Sequence, residues 1–168
     1  MSYRKGRVTE MKRKIILFGE IMAAAAAGFM AAFLFKKKMP DKSADKASKF
    51  KTYYNTLNRW LELKQSGVSL DKWFQKNGYK NAAVYGMGEL GNRLYEELKD
   101  TEIRVEYAID KNAYGVSLDI PVYQKEDELP DVDVIVISAV FAFSEISGEL
   151  EKKCTCPIVS LEDIVFEL

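Results

Sequence analysis

Gly86-Met87-Gly88-Glu89-Leu90-Gly91 spells G-x-G-x-x-G, the stretch of this chain whose residue types and spacing point most directly to a chemistry. It follows the apolar run Ala82-Ala83-Val84-Tyr85 and opens into a helix-compatible stretch, Asn92 to Lys99. That is the strand, turn and helix setting which the pattern requires. The first glycine permits the tight turn, the second lets backbone approach a phosphate, and the third lets helix pack on strand. Amides at the helix start, with the positive end of its dipole, attract the anion. Asp110 ends the next apolar run (Ile103, Val105, Tyr107, Ile109), where a carboxylate can receive ribose hydroxyls. Ser138, just after Val134–Ile137, is positioned for a further polar contact.

The expected binding set is Gly86, Met87, Gly88, Glu89, Gly91, Asp110, Lys111 and Ser138. Asn112, Ala139, Val140 and Phe141 complete a crevice beyond the strand ends, at the point where strand order reverses. NAD(P) or a nucleotide-sugar is the expected ligand. Glu89 complicates the site, because a carboxylate in the first helical turn can satisfy the amides that a phosphate would use and repel an incoming phosphate. Arg93, one turn on, can offset Glu89 or pair with it. Phe141 or Phe143 either covers a base or sugar face or packs the next helix.

Catalytic constellations are hard to assemble. The chain has no histidine, which removes Ser-His-Asp and Cys-His mechanisms. The Tyr-x-x-x-Lys spacing from Tyr95 to Lys99 reads as an ordinary i,i+4 pair on a helix surface. Glu96/Glu97 and Glu126/Asp127/Glu128 read as solvated surface charge. Cys154 and Cys156 are too close in sequence for an unstrained mutual disulfide. Without histidine they cannot supply a four-ligand zinc site, so they read as free thiols and no metal is expected. Binding without catalysis of its own is the reading these residues support.

The elements that must position these groups follow from periodicity. Strands are expected at Ala82–Tyr85, Ile103–Ile109 and Val134–Ile137, with an edge strand at Ile120–Tyr123 and a last strand entered at Pro157–Val159. Helices are expected over Glu89–Lys99 and Ser144–Lys152, with single turns at Glu126–Leu129 and Leu161–Phe166. Val134–Ile137 is a continuous β-branched run, as in a parallel strand covered on both faces. The alternation predicts an α/β layered fold: a small parallel sheet of four to five strands with right-handed crossovers.

Ahead of this domain (79–168), residues 50–78 read as an amphipathic helical hairpin. Phe50, Tyr53, Tyr54, Leu57, Trp60 and Leu61 recur at helical spacing; this stripe is read as the inner face packed on the sheet, with a partner surface as the alternative. Gly67 is the expected stop, Ser69 the expected cap of a second short helix. Residues 36–49 read as a linker and 1–14 as a basic tail. Between them Ile15–Phe35 is almost unbroken apolar sequence of 21 residues, long enough as a helix for a bilayer core of about 30 Å. Lysines flank it on both sides, and it is read as a retained single-pass anchor rather than a cleaved leader. Glu20, near its amino end, can reach the interface.

The formal charge of zero conceals an asymmetry: residues 1–49 carry +8 and residues 50–168 carry −8. The basic half suits anionic lipid; the acidic half argues against a nucleic-acid partner. Counting charges does not orient the span. The free thiols and the nucleotide ligand favour a cytoplasmic globular domain.

YGMGELG, AID with Lys111-Asn112, IPVY, VIVIS and CPIVSLED together resemble the Rossmann-like half-domains of bacterial surface-polysaccharide proteins. These include nucleoside-diphosphate-sugar epimerase-like or dehydratase-like proteins and the N-terminal domains of sugar acetyltransferases. The resemblance covers about half the chain and carries over to Gly86, Gly88, Gly91 and Asp110. It implies a role with activated sugars at the cytoplasmic membrane in capsule or exopolysaccharide synthesis; polysaccharide-synthesis enzymes or a second copy of the chain (a homo-oligomer) are the expected protein partners. The chain lacks the acetyltransferases' β-helix repeats and the epimerases' catalytic pair. Two other functions are compatible with these residues: an interaction scaffold with a vestigial nucleotide site, or a sugar-modifying enzyme completed by a partner chain.

Overall fold

A computed structural model describes residues 42–112 and 119–168. The basic tail, the Ile15–Phe35 run and the start of the linker lie outside the described residues. Among those described, no helix is long and apolar enough to cross a membrane. Ala47–Leu168 forms one compact unit.

Helix α1 spans Lys42–Gln65 and α2 spans Asp71–Lys76; then come β1 (Asn81–Tyr85), α3 (Glu89–Leu98), β2 (Arg104–Ile109), β3 (Val122–Tyr123) and β4 (Val134–Ile137). A 3₁₀ turn at Val140–Ala142 leads into α4 (Phe143–Leu150), followed by β5 (Ile158–Ser160) and α5 (Leu161–Glu167). All pairings are parallel, in the order β3-β2-β1-β4-β5. The expected α/β sheet flanked by helices is present, with five strands.

Three local expectations need correction. Residues 42–49 are helical rather than linker: after Pro40 the chain has no helix breaker until Gly67, and helix propensity does not require an apolar face. Ser69 does not cap α2, whose N-cap is Leu70; its hydroxyl donates instead to Glu97 Oε1 at 3.0 Å. Glu126–Leu129 is not a helical turn. There the Asp127 carboxylate accepts from Gln124 N at 2.8 Å and Asp127 N donates to Gln124 O, a local turn that competes with helix.

The sheet is covered on both faces, which is why all four β4 side chains are fully buried. On one face Ala82, Val84, Val105, Ala108, Val134 and Val136 pack with Trp60, Leu63, Phe74, Leu94 and Ile164 from the helices. On the other, Ala83, Tyr107, Ile109, Ile135 and Ile137 pack with Leu150 and Ile146 of α4. Trp60, Leu63, Leu70, Trp73 and Phe74 are all buried, so the helical hairpin is an integral layer. At about 1.5–3 kcal/mol for each large side chain, these five give on the order of 10 kcal/mol of gross burial.

Glu97 fixes that layer. Its side chain is only 7% exposed, contrary to the surface reading. It accepts from Trp60 Nε1 at 2.8 Å, Ser69 Oγ at 3.0 Å and Leu70 N at 2.8 Å, with Lys64 Nζ at 3.4 Å. A carboxylate drawn out of water requires such partners. Glu167 makes a smaller version, accepting from Trp73 Nε1 and Lys76 Nζ; those two bonds hold its carboxyl below the usual range. At the base of β1, Asp133 accepts from Lys80 N at 2.7 Å and Asn81 N at 2.8 Å, and these amides depress its pKa.

Glu97→Ala leaves the Trp60 indole and the Leu70 amide without their acceptor and is expected to cost about 3 kcal/mol in urea unfolding. Asp133→Asn should lower stability at neutral pH and lower it less in acid. A depressed carboxyl contributes fully above its unfolded pKa of about 4, and that contribution disappears as pH falls through the lower folded value. Urea midpoints of both chains between pH 7 and 3 should therefore converge.

Candidate functional site

Register brings the candidate loops to one level. Tyr85 pairs with Ile109 on one side and with Ile137 on the other, so the segments beginning at Gly86, Asp110 and Ser138 leave the sheet together. The chain reverses direction across the sheet between β1 and β4, the switch point at which ligands bind in open parallel sheets.

Two of the three glycines are required by geometry. Gly86 has φ +88°, a region that L side chains avoid, and its amide donates to Ile109 O at 2.8 Å. A Cβ on Gly91 would lie 2.0 Å from the Gly86 carbonyl oxygen, so α3 can cross β1 only where a side chain is absent. Gly88 differs from both. It is the N-cap of α3 at φ −77° and, being glycine, offers no capping side chain of its own, and a Cβ there would meet nothing within 4 Å. The open space and the amino end of a ten-residue helix therefore coincide.

The remaining expected groups are brought to this loop, but several are already engaged. Asp110 accepts from Met87 N through Oδ2 at 2.7 Å and from Asn112 N through Oδ1 at 2.8 Å. It thus holds the glycine turn to the β2 loop; each oxygen keeps a further lone pair. Ser138 does not face the crevice as expected: it is 5% exposed and its hydroxyl donates to Gly86 O. It braces the carbonyl that Gly91 passes. The Met87 side chain is buried in the core, while Asn92 Nδ2 donates to Met87 O at 3.0 Å. Lys111 is exposed at the rim. Phe141 is exposed, whereas Phe143, the first residue of α4, packs partly against the core on that side of the sheet.

Glu89 does not turn back to cap α3. Its Oε2 accepts from the Tyr53 hydroxyl at 2.6 Å, and that bond, with burial, raises the tyrosine pKa. The amides are left uncapped by the residue expected to compete for them. Tyr53 and Lys49, whose ammonium lies 5.5 Å from the Phe141 ring centroid, bring α1 to the crevice rim. Neither was signalled by spacing, since Tyr53 lies 36 residues from Glu89.

An open groove of about 790 Å³ lies elsewhere, between α1 and α3, lined by Leu57, Leu61, Lys64, Asn92 and Arg93 among others. Its Glu97 wall is committed to holding the hairpin, so size alone does not make it the better ligand site. A smaller one of about 280 Å³ includes Tyr85, Lys125 and Glu149, the latter two paired at 2.9 Å. Lys99 is paired with Glu96 and Tyr95 packs partly against the core. Cys154 and Cys156 are free thiols, both pushed up in pKa chiefly by burial. Among the described residues no group of three His, Cys, Asp or Glu side chains is placed to hold a metal ion.

The strand order corresponds to the first five strands of the doubly wound dinucleotide fold, 3-2-1-4-5. No protein-family model matches the chain, and no curated protein matches it in sequence.

The glycines make separable contributions. Gly91→Ala should destabilise by about 3 kcal/mol, because its Cβ meets rigid backbone. Gly88→Ala, with open space and an ordinary φ, should cost under about 1 kcal/mol. Urea unfolding of the two variants reads the difference directly.

Proposed function

We propose that this chain is a membrane-anchored accessory protein whose Rossmann-like half-domain binds a nucleotide-sugar or dinucleotide without catalysing its conversion. The observation that carries the reading is the uncapped amino end of α3, beside the open space at Gly88, at the β1/β4 switch point. A ligand diphosphate meets two favourable terms there, the amides of a helix start and the helix dipole. The Tyr53 hydroxyl holds the Glu89 carboxylate away from the amides, while its negative charge still opposes an incoming phosphate. Asp110 would contact ribose only through lone pairs left over from the loop amides, so the diphosphate supplies most of the recognition. The anchor rests on the Ile15–Phe35 sequence, and the cytoplasmic placement on the ligand and the free thiols. The connection to capsule or exopolysaccharide synthesis rests on the resemblance of the glycine turn and its following motifs.

The test uses the full chain in detergent, with UDP-sugars, NAD(H), NADP(H) and coenzyme A each at millimolar concentration. A ligand at ten times its Kd stabilises by about 1.4 kcal/mol, enough for a measurable rise in Tm. Gly88→Asp places a good N-cap carboxylate over the same amides. It should hold or raise the unliganded Tm while abolishing the ligand shift. Absence of a shift with every compound overturns the binding reading.

A further inference from the structure

Helix α1 has two apolar lines. One, through Tyr53, Thr56, Trp60 and Leu63, faces the protein: Thr56, Trp60 and Leu63 are buried, and Tyr53 packs against the core. The other runs through Phe50, Tyr54, Leu57 and Leu61, spaced four, three and four residues apart and hence on one side of the helix. Three of these four are among the most exposed large side chains described, Phe50 at 70%, Tyr54 at 59% and Leu61 at 55%. An aromatic and aliphatic row this open to water requires an explanation beyond the scattered single apolar residues of ordinary surfaces.

Charge indicates what covers it. Lys46 precedes Phe50 by four residues and extends the line at its amino end, while Lys64, three after Leu61, ends it on the other side and is paired with Glu97 at 3.4 Å. Lys51 lies beside Phe50. Over its whole length α1 carries six Lys+Arg against two Asp+Glu, on a domain that is otherwise acidic. No carboxylate interrupts the line. A second copy of the helix laid along it would bring lysine-ended rows together in either orientation, which is unfavourable. Anionic lipid meets no such conflict: aromatic rings settle at headgroup level and lysines reach the phosphates. Position agrees, because α1 starts seven residues after Phe35, the end of the apolar run. Seven residues reach at most about 25 Å.

We infer that the Phe50–Tyr54–Leu57–Leu61 face of α1 lies on the interface of an anionic bilayer, so that the anchor is followed by a surface-docked helix and the nucleotide crevice is held close to the membrane. The proposal rests on the reading of Ile15–Phe35 as an anchor. Docking turns α1 into a shared element, with Tyr53 and Trp60 inward and Phe50 and Tyr54 outward. The carboxylates across the groove do not oppose it strongly. Glu89 is bonded to Tyr53, Glu96 to Lys99, and Glu97 is enclosed.

The experiment uses the full chain with Cys154→Ser and Cys156→Ser, reconstituted into liposomes. A spin label is placed at Tyr54→Cys or, as a control on the far side of the fold, at Lys152→Cys. Flotation reports anchoring; relative accessibility to oxygen and to a water-soluble nickel chelate reports depth. In vesicles containing phosphatidylglycerol the label at 54 should read as lipid-buried and the label at 152 as aqueous. In pure phosphatidylcholine the label at 54 should move towards the aqueous value while the protein still floats. Lys46→Gln or Lys51→Gln should each lower the ratio of docked to free helix about fivefold, corresponding to about 1 kcal/mol per lysine. An aqueous label at 54 on floating anionic vesicles overturns docking and leaves the anchor intact. Spin–spin broadening at 54 that grows with protein density also overturns it, in favour of a second copy. Failure to float in phosphatidylcholine, with flotation and burial retained in phosphatidylglycerol, overturns the anchor and supports docking.

Discussion

Everything at the crevice depends on how closely α3 can cross β1. The Gly91 backbone passes over the Gly86 carbonyl with no room for a methyl group. That approach brings the amino end of α3 level with the strand ends instead of above them. Ser138 donates to the same carbonyl from the next strand, and the Gly86 amide is held by Ile109. Asp110 then holds the following amide, that of Met87. Three loops from three parallel strands thus meet on one peptide turn. A side chain at position 91 would therefore disturb all of them, which is why the pattern tolerates variety at its x positions but not there.

The helical hairpin is fastened to this arrangement through the same helix. Glu97, two turns along α3 from the glycine loop, gathers the Trp60 indole, the Ser69 hydroxyl, the Leu70 amide and the Lys64 ammonium. Glu89, at the start of α3, takes the Tyr53 hydroxyl. Two carboxylates eight residues apart therefore fix the line of α1 along α3. The open groove between the two helices follows from packing held at two points. Because the carboxylates are on the helix that carries the glycine turn, any shift of α1 bears on the mouth of the crevice.

The parts legible in the sequence are those determined within a few residues. The β-branched run of β4, the glycine turn and the stop near Gly67 each carry a local signal, and the sheet assembles as the alternation indicates. Long-range pairing was not legible. Nothing near Glu97 distinguishes it from Glu96, although one is enclosed and the other exposed; the difference lies in residues at 60, 64, 69 and 70. Ser138 likewise looks like a ligand contact until the strand register brings it to Gly86, 52 positions away. Asp110 follows its strand closely enough for its position beside the glycine loop to be readable, but the demand of the Met87 and Asn112 amides on its oxygens depends on loop conformation. The early start of α1 was missed for a different reason. A helix of lysine, alanine and serine has no apolar period to read, yet nothing in it stops propagation backwards from the packed turns.

Helix α1 thus connects two surfaces that sequence periodicity alone merges into one stripe. Aromatics at 50, 53, 54 and 60 all satisfy helical spacing, but 53 and 60 fall on one line and 50 and 54 on another. The inner line is stabilised by burial and by hydrogen bonds to α3 carboxylates, so it is satisfied within the domain. On the outer line only Leu57 packs partly against the core, while Phe50, Tyr54 and Leu61 stay exposed. A helix that served only the fold would carry polar residues there, as α3 does at Asn92, Arg93 and Glu96. The exposed row at Phe50, Tyr54 and Leu61 and the inward row at Tyr53 and Trp60 share one helix, and the Tyr53–Glu89 bond connects that helix directly to the glycine loop.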